Sequence, residues 1–231
     1  MSTAKRAVFL YDYTGIMAQP WLQAGYECWS FDAQHRYSWA TEGQHKKICA
    51  KFDPHLKLDE AVRIAKKVSA ADFVFGFPPC TDLAVSGARH FSAKRVANPI
   101  FQAEAAELAD LVRCVGLLFG CSWAFENPVS VLATQYRKPN FSFDPCDFGG
   151  YLPEDDAHPL YPDVYPPRDA YNKKTCIWHG NGFKEPKRKR VEPASPDNPA
   201  WRMCGGKSLK TKNIRSSTPR GFARAVFEAN S

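Results

Sequence analysis

Two residues have the types and the setting for covalent chemistry. Cys80 follows the run Asp72-Phe73-Val74-Phe75-Gly76-Phe77-Pro78-Pro79, which reads as a buried strand closed by a stiff Pro-Pro turn. Glu126, forty-six positions on, follows the apolar segment Trp123-Ala124-Phe125 and precedes Asn127-Pro128. A thiol and a carboxyl at neighbouring strand tips are a nucleophile and an acid facing one crevice. In an open α/β sheet that edge is where ligands bind. A thiol of ordinary pKa, ~8.5, needs a local field that favours the thiolate before it can attack. The bland reading of Cys80 is a small buried hydrophobe. The bland reading of Glu126 is a solvated or capping residue.

The elements that must position these groups alternate between strand and helix. Arg6 to Tyr11 reads as a strand, followed by a turn at Tyr13-Thr14-Gly15 and a short helix through Trp21 and Leu22 that Gly25 stops. Glu27 to Phe31 is a second strand closed by Asp32, and Ile48 to Phe52 a third closed by Asp53. Leu58, Ala61, Ala65 and Val68 fall on one helical face, as do Phe101, Ala105, Leu108, Leu111, Val115 and Leu118. Strands separated by helices predict a mostly parallel sheet with right-handed crossovers and helices on both faces.

The second half differs. Eleven of the eighteen prolines fall between Pro139 and Pro199, so residues 139–213 read as an irregular, Pro-rich insertion without long helices. Thr175 to Trp178 is its one strand-like segment. Thr218 suits an N-cap and Pro219 a first helical turn, with Phe222, Ala223, Val226 and Phe227 on the apolar side of a final helix.

The chain has 231 residues, a formal charge of +7 and a pI near 9.0. That length suits one domain, and the basic balance suits a polyanionic partner. The run Lys187-Arg188-Lys189-Arg190 is either a solvated loop or a phosphate contact. No leader-like or membrane-spanning run is evident, and eight dispersed cysteines without a Cys-x-x-Cys pair predict reduced thiols in a cytoplasmic protein. Cys146, His158, Cys176, His179 and Cys204 match no standard zinc spacing, so no metal is expected.

The order Pro79-Cys80 and then Glu126-Asn127 resembles the DNA cytosine-C5 methyltransferase family, in which a Pro-Cys motif supplies the nucleophile and a Glu-Asn motif holds the base. The resemblance runs with gaps from about Ala7 to Ala229. It implies a Rossmann-like class I methyltransferase fold over a single domain, residues 1–231. It also implies S-adenosylmethionine as cofactor, DNA as partner and Cys80 and Glu126 as catalytic residues. Asp12, Gly15, Asp32, Asp53 and Phe77 would face the donor, although one glycine stands where the family usually has three. For each aspartate at a strand end, helix capping is the plain alternative. Pro79, Asn127, Arg89, Lys173 and Thr175 would face the DNA. Arg89 belongs to the segment Thr81 to Phe91, where the family has a mobile loop, and Lys173 and Thr175 occupy the place of an arginine-bearing motif. Arg215-Ser216-Ser217-Thr218-Pro219-Arg220 is similar to a late Thr-Pro-Arg motif. Small size and an abridged recognition region between Trp178 and Arg215 resemble phage-borne members. Competing readings are a non-catalytic DNA-binding relative, transfer of another one-carbon-linked group, and action on single strands.

Overall fold

The computed structural model describes residues 4–36, 40–194, 197–203, 206 and 208–231. In chain order its elements are β1 (Arg6–Leu10), α1 (Gln19–Gln23), β2 (Glu27–Asp32), β3 (Ala40–Glu42), β4 (His45–Cys49), α2 (Lys57–Val68), β5 (Phe73–Gly76), α3 (Phe91–Ala97), α4 (Phe101–Phe119), β6 (Ser122–Pro128), α5 (Leu132–Gln135), β7 (Phe141–Phe143), β8 (Thr175–Gly180), α6 (Pro199–Met203), α7 (Leu209–Arg215) and α8 (Arg220–Asn230). Cys204 lies outside the described residues.

The strands form one eight-stranded sheet in the order β3-β4-β2-β1-β5-β6-β8-β7. The pairs β4–β2, β2–β1, β1–β5 and β5–β6 are parallel, whereas β3–β4 and β6–β8 are antiparallel. This α/β architecture, mixed but mostly parallel, is compatible with a Rossmann-like fold. From β1 the chain moves outward to β2 and β4, then returns to add β5 and β6 on the other side. The strand order therefore reverses between β1 and β5, and that crevice is the usual ligand edge of such a sheet.

Central strands read as continuous apolar runs because both of their faces are buried. Val8, Leu10, Trp29, Phe31, Val74, Trp123 and Phe125 pack with Ala61, Ile64 and Val68 of α2 and with Ala105, Ala109, Val112 and Val115 of α4. Their strand neighbours Ala7, Phe9, Cys28, Phe73, Phe75 and Ala124 are equally buried. The apolar face of α2 is rotated from the one the pattern predicts. Ile64 joins Ala61 and Val68 in the core, and Leu58 is exposed. Leu118, in the last turn of α4, is likewise exposed, and Gly120 ends the helix in the left-handed region, φ +66°. The two helices are joined by charge as well. Lys57 and Arg113 meet the buried Asp110 at 2.7 and 2.6 Å. Burial works to raise the Asp110 pKa, but its hydrogen bonds to Arg113 and Lys57 outweigh that and hold it well below the usual carboxylate range.

Several boundaries differ from the sequence reading. The third strand is His45–Cys49, not Ile48–Phe52, because it pairs with β2 through Ser30↔Lys47 and Phe31↔Ile48 and leaves the sheet after Cys49. The short strands β3 and β7 carry no strong pattern of their own and exist by pairing at the sheet's margins. The segment after Cys80 holds a 3₁₀ helix at Val85–His90 followed by α3. The last helix begins one residue later than the pattern predicts. Pro219 takes the N-cap position, and Thr218 is buried before it.

The Cα positions divide into two compact units, 1–13 with 22–142 and 175–183, and 14–21 with 143–174 and 184–231. The second unit has its own aromatic centre. Phe222 stacks on Phe143 at 4.1 Å and lies tilted on Phe148 at 5.3 Å, and Gly221 packs where a Cβ would lie 2.3 Å from the Phe148 carbonyl oxygen. Arg220 makes a two-pronged ion pair with Asp156, both contacts 2.5 Å. His158 is buried, with Nδ1 accepting from the amides of Leu160 and Tyr161. Burial lowers its pKa to about 4, so its ring is neutral near pH 7.

Gly76 shows how tightly the nucleophile's strand is held from behind. A Cβ there would sit 2.4 Å from Val112 Cγ2 of α4. Gly76→Ala should therefore cost about 1–3 kcal/mol, read as a lower urea midpoint at unchanged slope. An unchanged midpoint would contradict this packing of β5 on α4.

Candidate active site

The end of β5 and the end of β6 are fastened together. Gly76 pairs with Phe125, so Phe77 and Glu126 leave that pair side by side on parallel strands. The Phe77 amide donates to the Leu10 carbonyl at 3.0 Å, which carries the β1–β5 ladder one residue further. Pro78 is then buried, and its carbonyl accepts from Asn127 Nδ2 at 3.0 Å. Asn127 is fully buried, and among the described residues its Oδ1 has no hydrogen-bond partner. Beyond Cys80 the chain is caught again. The Cys80 carbonyl accepts from the Leu83 and Ala84 amides at 3.0 and 2.8 Å, closing a turn. Val131 N donates to Leu83 O at 3.0 Å and Val85 N to Val129 O at 3.2 Å, which makes an antiparallel bridge between Ala84 and Ser130. Cys80 thus sits on a short span anchored on both sides to the β6 segment.

Among the described cysteines, Cys80 and Cys49 are the exposed ones, and none is in a disulfide. Burial pushes the thiols of Cys28, Cys114 and Cys146 up, and that of Cys121 up to about 12, so these side chains resist ionisation. The Cys49 Sγ contacts the Ala33 carbonyl at 3.8 Å. Cys80 is therefore the exposed thiol on the span tied to the strand that bears Glu126.

Glu126 lies within β6 rather than after it, half-buried, because β8 pairs along its full length. Side chains alternate along a strand, so Trp123, Phe125 and Asn127 point to the α4 side and Ala124, Glu126 and Pro128 to the other. Phe125 is fixed by stacking on Trp178 at 5.3 Å and Trp123 at 6.3 Å. Since Thr175 pairs with Pro128 and Ile177 with Glu126, the buried Thr175 shares a face with the carboxyl. Pro79 is exposed beside Cys80, and Phe77 packs on Phe75 at 5.1 Å.

The ends of β1 and β2 continue this edge. Tyr11 takes a left-handed conformation, φ +60°, uncommon for a bulky residue, with its hydroxyl donating to Leu108 O at 2.8 Å. Asp12 follows and is buried. Asp32 is half-buried at the end of β2, where burial raises its pKa against the opposing hydrogen bond from Gln34 N at 2.7 Å. His35 was not singled out by the sequence. It is buried in the turn after β2, tilted on Tyr13 at 5.8 Å, and among the described residues its Nε2 has no partner. The available signal was its place three residues after the acidic end of the second strand.

Across the sheet the order of residues at this edge is Asp32, Asp12, Phe77 to Cys80, Glu126 with Asn127, then Thr175. Four other candidates stand differently. Asp53 is exposed and caps the 3₁₀ turn Pro54–Leu56, its Oδ1 accepting from His55 N at 2.9 Å, so the capping alternative describes it. Arg89 is exposed, with its Nε donating to His90 Nε2 at 3.1 Å. Gly15, buried with φ +68°, and Lys173 belong to the second unit. The Lys173 amide donates to Asp144, and its Nζ donates to the Arg215 carbonyl at 3.2 Å.

The basic run is built into the second unit. Arg188 and Arg190 both reach the buried Asp147, at 3.1 and 2.5 Å, and the Lys189 ammonium lies 3.8 Å from the centre of the Tyr151 ring. Among the described residues no three His, Cys, Asp or Glu side chains are grouped to hold a metal ion, and no helix is long and apolar enough to cross a membrane. No family model matches the chain, and no curated protein matches its sequence.

The anchoring of the Cys80 span makes a direct prediction. Asn127→Ala removes the donor to the Pro78 carbonyl, at a cost of about 1–3 kcal/mol for the group left unsatisfied. Amide hydrogen exchange at Leu83 and Ala84 should accelerate by the corresponding factor, about 5- to 150-fold. Unchanged exchange at these amides would show that Asn127 does not hold the span.

Proposed function

We propose that this chain transfers a methyl group from S-adenosylmethionine to C5 of cytosine in DNA. The observation that carries the reading is the exposed Cys80 thiol on a span tied by Asn127 and by the Ala84–Ser130 bridge to the strand that bears Glu126. A nucleophile and a proton donor on adjacent strand ends suit addition to a conjugated base. The strand order, with its reversal between β1 and β5, supports a donor site at the same edge.

The residues at the β1 and β2 ends fit such a donor. Asp32 offers carboxylate oxygens where an acidic residue accepts from ribose hydroxyls. The unpartnered His35 Nε2, buried beside the partly exposed Tyr13 ring, offers a polar atom and an aromatic face for an adenine. Asp12 and Phe77 would complete this wall. When bound, S-adenosylmethionine supplies an electrophilic sulfonium methyl group.

The chain's own residues do the rest. Cytosine C5 is a poor nucleophile, so the Cys80 thiolate adds to C6, breaking the C5=C6 π bond and placing electron density on C5. Glu126, as the neutral acid, donates to N3 and stabilises the adduct. Half-burial of Glu126 between β5 and β8 limits the water that competes for that proton. C5 then takes the methyl as the sulfonium–methyl bond breaks to leave a neutral thioether. Solvent takes the C5 proton, the C5=C6 double bond re-forms and the Cys80 thiolate leaves. N3 returns its proton to Glu126, so both side chains end as they began. Thr175, on the Glu126 face, would contact the base or its sugar. The target base must leave a duplex stack to reach Cys80, at a cost of roughly a few kcal/mol. Single strands avoid that cost.

Nucleosides from the DNA of cells expressing the chain should contain 5-methylcytosine by mass spectrometry. Cys80→Ser should abolish it, and Glu126→Gln should slow its formation at least ~100-fold. Equal methylation by the Cys80→Ser variant would overturn the mechanism. A different cytosine adduct, still dependent on Cys80, would mean that another group is transferred. Donor and DNA binding without any modified base would favour the non-catalytic relative.

A further inference from the structure

The region after Trp178 is more than a basic loop. Two short helices, α6 and α7, touch one another within the second unit. Asn198 starts α6, its Oδ1 accepting from Ala200 N at 3.0 Å, and Ser208 caps α7, its Oγ accepting from Thr211 N at 3.1 Å. Their inner sides are anchored. Ala200 and Ile214 are buried with Tyr165 and Tyr171, and the Tyr165 hydroxyl donates to the Ile214 carbonyl at 2.5 Å. Their outer sides are unusual. Trp201 is 68% exposed and Leu209 59% exposed, and Arg202, Lys210 and Lys212 are exposed on the same two helices.

Charge narrows the choice of partner. From Asn198 to Phe227 the sequence holds not one Asp or Glu. The exposed cations of α6 and α7 therefore have no carboxylate within their own segment, whereas Arg188 and Arg190 share Asp147. An exposed indole among cations matches a nucleic-acid strand, whose bases stack on aromatic faces while the phosphates meet Lys and Arg. A lipid surface is a poorer match, because interfacial helices need a long apolar face. Here α6 and α7 are five and seven residues long, and Trp201 and Leu209 are the large exposed apolar residues among their described side chains.

We propose that Trp201, Arg202, Lys210 and Lys212 form a nucleic-acid docking surface in which the Trp201 ring stacks on an unpaired or extruded base. The choice of DNA as the probe rests on the methyltransferase reading; the surface itself does not.

The test measures binding of fluorescein-labelled single- and double-stranded DNA to the full chain by anisotropy across a salt series. Trp201→Ala should weaken binding about tenfold, the loss of one base–aromatic stack, whereas Trp201→Phe should keep most of the affinity. Lys210→Gln with Lys212→Gln should lower the slope of log affinity against log salt by about 1–2. All these positions are exposed, so melting temperatures should stay at the wild-type value. Affinity and slope unchanged in every variant, or no DNA binding by the wild type, would overturn the surface. So would Trp201-dependent binding of phosphatidylserine vesicles with DNA binding untouched. A chain that binds DNA through Trp201 yet never modifies cytosine would leave this surface standing and remove the catalytic reading alone.

Discussion

The arrangement of the edge depends on how β5 and β6 are tied beyond the last rung of their ladder. Parallel strands diverge freely once their hydrogen bonds end, and Pro78 and Pro79 have no amide hydrogen to extend the ladder. The buried Asn127 amide supplies the missing donor from the other strand and meets the Pro78 carbonyl. The Ala84–Ser130 bridge then closes the far side. An unsatisfied buried carbonyl costs about 1–3 kcal/mol, so this side chain is worth more than its single bond suggests. With both ends held, the residue between them can be exposed without being loose. That residue is Cys80.

Burial sorts the other groups. Cys28, Cys114 and Cys146 are buried, which disfavours their thiolates, and the half-buried Cys121 is shifted the same way. Glu126 is half-covered because β8 runs antiparallel beside it, and the same pairing brings Thr175 to its face. At the other end of the edge, the left-handed Tyr11 turns the chain sharply after β1, its hydroxyl anchored on α4. A strained conformation held by packing is what a sheet edge needs if the next residue, Asp12, is to stay near the ladder's end.

Much of this was legible in the sequence. The central strands were readable because burial on both faces demands uninterrupted apolar runs such as Phe73-Val74-Phe75. Cys80 and Glu126 were readable because proline and asparagine flank them at strand ends. Other features depend on partners far away in the chain. The Ala84–Ser130 bridge uses backbone groups, which any side chains could accompany. The role of Arg188 and Arg190 depends on Asp147, some forty residues earlier, so the charge run alone read equally well as a solvated loop. Leu58 fits the helical period yet is exposed, because the neighbouring α4 covers the Ile64 side of α2 instead. Asp53 occupied a strand end by pattern, but β4 leaves the sheet earlier and the aspartate caps the next turn.

The central claim is that Cys80 becomes covalently bound to C6 of cytosine. DNA containing 5-fluorocytosine blocks the final elimination, because fluorine replaces the C5 proton that must leave. Intact-mass spectrometry after incubation with this DNA and S-adenosylmethionine should show one protein–DNA adduct, and peptide mapping should place it on Cys80. The adduct should vanish in Cys80→Ser and persist when Cys49 or Cys121 is replaced. An adduct on another cysteine, or none on any single- or double-stranded substrate that the protein binds together with the donor, would contradict the account.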